Sequence, residues 1–126
     1  MTVDRVVDAC AMAAFVFDEP DRPLVEARLS DSALFVPMLF RFEMASVCLK
    51  KIRARPDEKH LLLAAYERSL LIPLTELDVA LTEVIELAIA TRLTLYDASY
   101  LWLSRHLGIE LITIDANFLK AAARLP

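Results

Sequence analysis

Val3-Asp4-Arg5-Val6-Val7-Asp8 opens the chain as a short aliphatic run that stops at a carboxylate. Ile109-Glu110-Leu111-Ile112-Thr113-Ile114-Asp115 closes it in the same way. Both read as short strands that are largely apolar rather than strictly alternating, the pattern of a sheet covered on both faces. Between them the periodicity predicts helices over Ala9–Phe17 and Arg22–Leu29, then a buried strand over Ala33–Val36 stopped by Pro37. A helix follows over Leu39–Arg53, where Phe42, Ala45, Leu49 and Ile52 recur at spacings of three and four. Another helix runs over Pro56–Ser69 with proline in its first turn, and Leu70–Leu74 reads as an apolar strand. Helices over Asp78–Thr91, Asp97–Leu107 and Asn117–Arg124 complete the pattern, with Gly108 as the left-handed terminator of the second of these. Strands alternating with helices indicate an α/β fold with a mainly parallel sheet.

At 126 residues, the stretch 1–126 reads as one domain with room for a proper core. Its hydrophobic content is 57%, yet charges interrupt every apolar run before membrane-spanning length. Asp4, Arg5 and Asp8 come too early for a secretory signal, so a cytoplasmic protein is expected. The apolar excess is concentrated in Phe35, Met38, Leu39, Phe40, Phe42 and Met44, and again in Leu61–Leu63 and Leu70–Ile72. More apolar surface than one chain can hide favours a homodimer or a standing partner. Cys10 and Cys48 make neither a disulfide framework nor a zinc motif, and His60 and His106 add no ligand spacing. The net charge of −4 advertises no basic field, but neutralising a few carboxylates with metal would bring it to about zero. An RNA substrate is therefore compatible with the charge.

The chemistry-bearing residues are acids. In a parallel sheet, functional groups gather beyond the carboxyl ends of the strands, which is where Asp8 and Asp115 fall. Asp97 lies at a helix start, and Glu43 sits in the apolar helix segment Phe40-Arg41-Phe42-Glu43-Met44-Ala45. Each Asp taken alone suits a helix N-cap equally well. Glu43 is harder to account for locally, because a buried unpaired carboxylate costs several kcal/mol and Arg41 points elsewhere on the helix. Two carboxylates ~4 Å apart repel by ~4 kcal/mol at an effective dielectric of about 20, more than helix dipoles offset. If the four converge, at least one titrates high until a cation neutralises it. Oxygen donors of this kind suit Mg²⁺ or Mn²⁺ rather than zinc.

In these residues the sequence resembles the PIN domain family, and within it the VapC-like toxins of type II toxin–antitoxin pairs. Val6-Val7-Asp8-Ala9, Phe42-Glu43-Met44-Ala45, Leu95-Tyr96-Asp97-Ala98 and Leu111-Ile112-Thr113-Ile114-Asp115 match the family's successive acidic motifs in order. The resemblance implies a three-layer α/β/α domain with a sheet of four to five strands. It also implies a metal-dependent endoribonuclease toxin, neutralised by a cognate antitoxin that wraps the apolar surface. Asp8, Glu43, Asp97 and Asp115 become the catalytic and metal-binding set, with Asp8 and Asp97 as direct or shared ligands. Thr113, Ser46 and Asn117 stand behind them and orient acids or waters. The expected reaction is in-line attack on an RNA phosphorus by a water that the cation acidifies, leaving 5′-phosphate and 3′-hydroxyl ends. Cys10, Ser46 and Asn117 occupy positions where the family often has Ser or Asn, Asn, and Asp respectively, a departure that bears on metal affinity and rate.

Lys50, Lys51, Arg53 and Arg55 form the densest basic run and are the candidates for RNA contact, although a basic helix end is equally what the dipole favours. No aromatic ladder of the single-strand-binding kind is present. Other carboxylate-clustering folds fit less well. A phosphate-signalling receiver would want an acidic pair after its first strand and a late lysine. A haloacid-dehalogenase-type phosphatase would want a second Asp two residues after Asp8, where Cys10 stands. A catalytically weak or silent PIN-like binding module is the remaining alternative.

Overall fold

The computed structural model describes residues 1–124. Four strands form one parallel sheet, β1 (Val3–Val7), β2 (Ser32–Pro37), β3 (Thr75–Leu77) and β4 (Glu110–Ile112). They lie in the order β3-β2-β1-β4, with Val7 level with Ile112 and Val6 level with Phe35. Seven α-helices flank the sheet: α1 (Ala9–Val16), α2 (Arg22–Leu29), α3 (Phe40–Ala54), α4 (Lys59–Ser69), α5 (Leu81–Thr91), α6 (Leu95–Leu107) and α7 (Ala116–Ala123). Val6 and Val7 point to opposite sides of β1 and both are completely buried. Successive strand residues face opposite ways, so helices must cover both faces, as the three-layer expectation requires. One core joins β1 and β2 to α1 through Met12 and Ala14, to α6 through Tyr100 and Leu103, and to α7 through Phe118.

The chain runs from β1 outward to β2 and β3, then returns to place β4 on the other side of β1. The direction of travel therefore reverses between β1 and β4, the place where open parallel sheets generally form a crevice beyond the strand ends. At the opposite edge Arg5 fastens the layers. Its guanidinium donates to the Arg28 carbonyl at 3.1 Å, to Ser32 Oγ at 2.6 Å and to Asp31 Oδ1 at 2.7 Å. The side chains of Arg5 and Arg28 both reach Glu110 at the start of β4. A charge in mid-strand thus holds three strands and α2 together.

Several boundaries differ from the sequence reading. The Leu70–Leu74 segment is not a strand. Leu70, Leu71 and Ile72 donate to carbonyls three residues back, extending α4 as tight turns, and Pro73 has no N–H for a ladder. The strand is the more polar Thr75–Leu77, tolerated because it is a sheet edge open to solvent. Pro56–Glu58 is a separate 3₁₀ turn before α4. The helix expected from Asp78 starts only at Leu81. The helix expected from Asp97 starts at Leu95, capped by Thr94, whose hydroxyl accepts from the Asp97 N–H at 3.1 Å. β4 ends at Ile112, short of Ile114.

Gly108 ends α6 with φ +68, as the sequence indicated, and nothing lies within 4 Å of where its Cβ would be. Arg92 ends α5 with φ 61 in the same left-handed region without being glycine. Gly108→Ala therefore costs about 1 kcal/mol from backbone conformation alone, with no clash to add. Arg92→Gly should recover up to about the same amount. Urea denaturation checks both; a Gly108→Ala loss of several kcal/mol would mean that a steric contact operates as well.

Candidate active site

Asp8 follows β1 directly, and its backbone N–H continues the ladder to the Ile112 carbonyl at 3.1 Å. It is also the N-cap of α1, its Oδ1 accepting from the Ala11 N–H at 2.8 Å. Asp115 stands just past β4 and caps α7, its Oδ1 accepting from the N–H groups of Asn117 and Phe118 at 2.9 and 3.1 Å. The capping role and the clustered role are thus compatible: each cap uses Oδ1 and leaves Oδ2 outside the cap bonds. Asp97 lies in the first turn of α6, where Thr94 does the capping and leaves the Asp97 carboxylate uncommitted. Glu43 is in the first turn of α3. Four elements thus bring Asp8, Glu43, Asp97 and Asp115 to the carboxyl-terminal edge of the sheet, at the β1/β4 reversal.

Their charges act on one another in pairs, Asp97 and Glu43 on Asp8, and Asp115 on Asp97. Asp8 is only 2% exposed. Burial drives its carboxyl up to about 6, the nearby charges of Asp97 and Glu43 add to the rise, and the Thr113 hydroxyl and Ala11 N–H oppose it. Burial also raises Glu43, with Asp97 adding, while the Tyr100 hydroxyl pulls the other way. Asp97 is raised by burial and then by Asp115. Cys10, exposed at the rim, is held as a neutral thiol: burial of its sulfur and then the charges of Asp8 and Asp115 push it up to about 11. The Glu43 Oε1 atom is buried without a hydrogen-bond partner, and so is the hydroxyl of Tyr100 beside it.

The supporting residues fall in different places. Thr113 is buried, and its Oγ1 accepts from the Asp115 N–H at 3.2 Å while its hydroxyl lies at Asp8, so it ties the two strand-end acids together. Ser46 is exposed one turn beyond Glu43 on α3. Asn117 is exposed in the first turn of α7 and meets Asp115 through its backbone N–H. The basic run lies at the far end of α3, ~10 Å along the axis from Glu43. There Lys51 pairs with Glu19 at 2.6 Å and sits over the Phe17 ring, and Arg55 pairs with Glu58. Among the described residues Lys50 and Arg53 are exposed and outside any ion pair. An apolar groove of ≈ 490 Å³ lies at the amino-terminal edge of the sheet, between Phe15, Leu34 and Ile72, away from the acids.

A model of the PIN domain family matches residues 5–124. The chain belongs to the PIN domain family. The crystal structure of PAE2754 from Pyrobaculum aerophilum shares this PIN-like fold, with a TM-score of 0.74 at 24% identity over 96% of this chain and 86% of that one. No curated protein matches the sequence. PIN domains are typically nucleases and generally use divalent metals. Among the described residues, no three His, Cys, Asp or Glu side chains stand close enough together to hold an ion as they are. The donor set nonetheless fits a small hard cation. Mg²⁺ keeps several waters and takes only one or two carboxylates directly, with substrate phosphate completing the shell. Asp8 and Asp115 each have one carboxylate oxygen outside the cap bonds, and the Asp97 carboxylate caps nothing, which supplies that much. Sequence reasoning missed Tyr100 in this PIN site, although its spacing of three from Asp97 was visible and puts both on one helix face.

The high Asp8 titration makes the fold sensitive to pH. Between 3.8 and about 6 the folded protein holds a proton on Asp8 that the unfolded chain has lost. Stability in chelator therefore falls as pH rises through that window, and the penalty is complete above it. A shift of this size corresponds to on the order of 3 kcal/mol. Asp8→Asn, which keeps the cap, should be more stable than the parent by that order at pH 7 in EDTA, with the gap closing near pH 4. Urea denaturation at the two pH values measures it, and a constant gap would show that Asp8 titrates normally.

Proposed function

We propose that this PIN domain is a Mg²⁺- or Mn²⁺-dependent endoribonuclease that hydrolyses RNA phosphodiester bonds, acting as the toxin of a VapC-like pair. The supporting observation is the carboxylate group itself: acids from four elements, with Asp8 at 2% exposure and held up at about 6, make a site whose charge favours a divalent cation. When bound, such a cation polarises a phosphoryl oxygen and makes water a better nucleophile. The chain's own residues have separable tasks. Asp8 and Asp97 would offer oxygens to it directly, and Asp115 and Glu43 would hold a second cation or ordered waters. The cap bonds to Ala11, Asn117 and Phe118 fix how Asp8 and Asp115 point. Thr113 keeps these two acids in register, while Ser46 and Asn117 edge the site.

Lys50 and Arg53, with Lys51 and Arg55 behind them, extend the RNA path along α3 once the substrate leaves the acids. The exposed apolar side chains supply the partner surface. Phe42, next to Glu43, is 85% exposed, Leu71 82% and Ile89 74%. A homodimer seam and an antitoxin helix would both cover residues of this kind, and no helix among the described residues is long and apolar enough to cross a membrane. The cytoplasm, where RNA and an antitoxin are both at hand, is the compartment this reading requires. A silent, partner-binding PIN module is the second reading, favoured by Cys10, an exposed neutral thiol beside Asp8.

Incubating total RNA with the protein and Mg²⁺ or Mn²⁺ tests the proposal. Cleavage should yield 5′-phosphate and 3′-hydroxyl ends and stop in EDTA. Asp8→Asn and Asp97→Asn should each lose about 100-fold or more, since even a residue supporting a ligand costs 10- to 100-fold. Cyclic-phosphate ends, or cleavage that survives chelation, would overturn the metal mechanism. Intact RNA in every metal would favour the silent module.

A further inference from the structure

Among the described residues Tyr100 is the largest fully buried side chain, 1% exposed, on the face of α6 that carries Asp97. Its hydroxyl is turned toward Glu43, and the charges of Asp8 and Asp97 also act on it. It has no hydrogen-bond partner, and neither does the buried Oε1 of Glu43 beside it. Two adjacent unsatisfied polar atoms, one a hydroxyl able to donate and the other a carboxylate oxygen that can only accept when ionised, are each costly alone and satisfied together. A tyrosine buried only for packing would be better replaced by phenylalanine, which brings the same ring without the orphaned hydroxyl.

We propose that Tyr100 is a positioning residue whose hydroxyl donates to Glu43 and holds that carboxylate toward Asp8 and Asp97. The bond joins α6 to α3, so one helix sets both its own acid and the acid of another. It occupies one Glu43 oxygen and leaves the other for a cation or an ordered water. This role deepens the metal-site reading above and rests on it for its consequence, though not for the bond itself.

Tyr100→Phe removes only the hydroxyl and keeps the ring, so the core stays filled. Two measurements separate the bond from its consequence. In EDTA, urea midpoints of the parent, Tyr100→Phe, Glu43→Gln and the double variant form a cycle. Non-additive midpoints support the bond, and additive ones overturn it. With Mn²⁺, calorimetric titration should show affinity weakened about 10-fold or more in Tyr100→Phe. In the Glu43→Gln background the same change should have little further effect, because Tyr100 acts through Glu43. Parent-like Mn²⁺ affinity in Tyr100→Phe overturns the positioning role while the metal site stands. A parent protein that binds no Mn²⁺ overturns the metal reading and the positioning role with it, and the EDTA cycle still decides the bond.

Discussion

Four carboxylates at one end of a sheet repel one another, and the rest of this molecule is arranged around that fact. Burial pushes Asp8, Glu43 and Asp97 toward protonation, Asp8 up to about 6. What keeps them serviceable is a set of donors. Backbone N–H groups at two helix starts hold Asp8 and Asp115, and the Thr113 hydroxyl lies between them. The parallel β1–β4 pairing supplies the geometry, since it sets both acids just beyond neighbouring strand ends where the chain direction reverses. The opposite edge of the sheet carries the compensating cation of the fold, Arg5, among acceptors from β2, β4 and the end of α2.

Much of this was legible in the residues. β1 and α2 fall where the aliphatic and helical patterns put them, and Gly108 terminates α6 as its isolation suggested. These signals are local: an aliphatic run, a helical period, a residue free to take positive φ. The misreading of Leu70–Leu74 has an equally physical origin. An apolar run is ambiguous between a buried strand and a helix end packed inward, and Pro73 was the residue that decided it. Thr75–Leu77 was invisible because an edge strand needs no apolar pattern.

The acids were legible as candidates, but their company was not. Nothing in the spacing of Glu43 and Tyr100 announces that they meet, because they belong to different helices and their approach is a product of packing across the sheet end. The basic run shows the reverse. Four cations within six positions look like one surface, yet Lys51 and Arg55 already have acidic partners. Density of charge along a chain is a one-dimensional property, whereas availability depends on what the fold sets opposite each group.

The pairing of the first strand with the last has a temporal side. A chain still emerging from the ribosome carries Asp8, Glu43 and Asp97 well before Glu110–Ile112 exists to flank β1. Until then β1 has an open flank, Asp115 is missing, and Arg5 lacks Glu110. The four-acid arrangement therefore closes only once Asp115 has been made, and a fragment cut short before residue 110 lacks both β4 and the fourth acid.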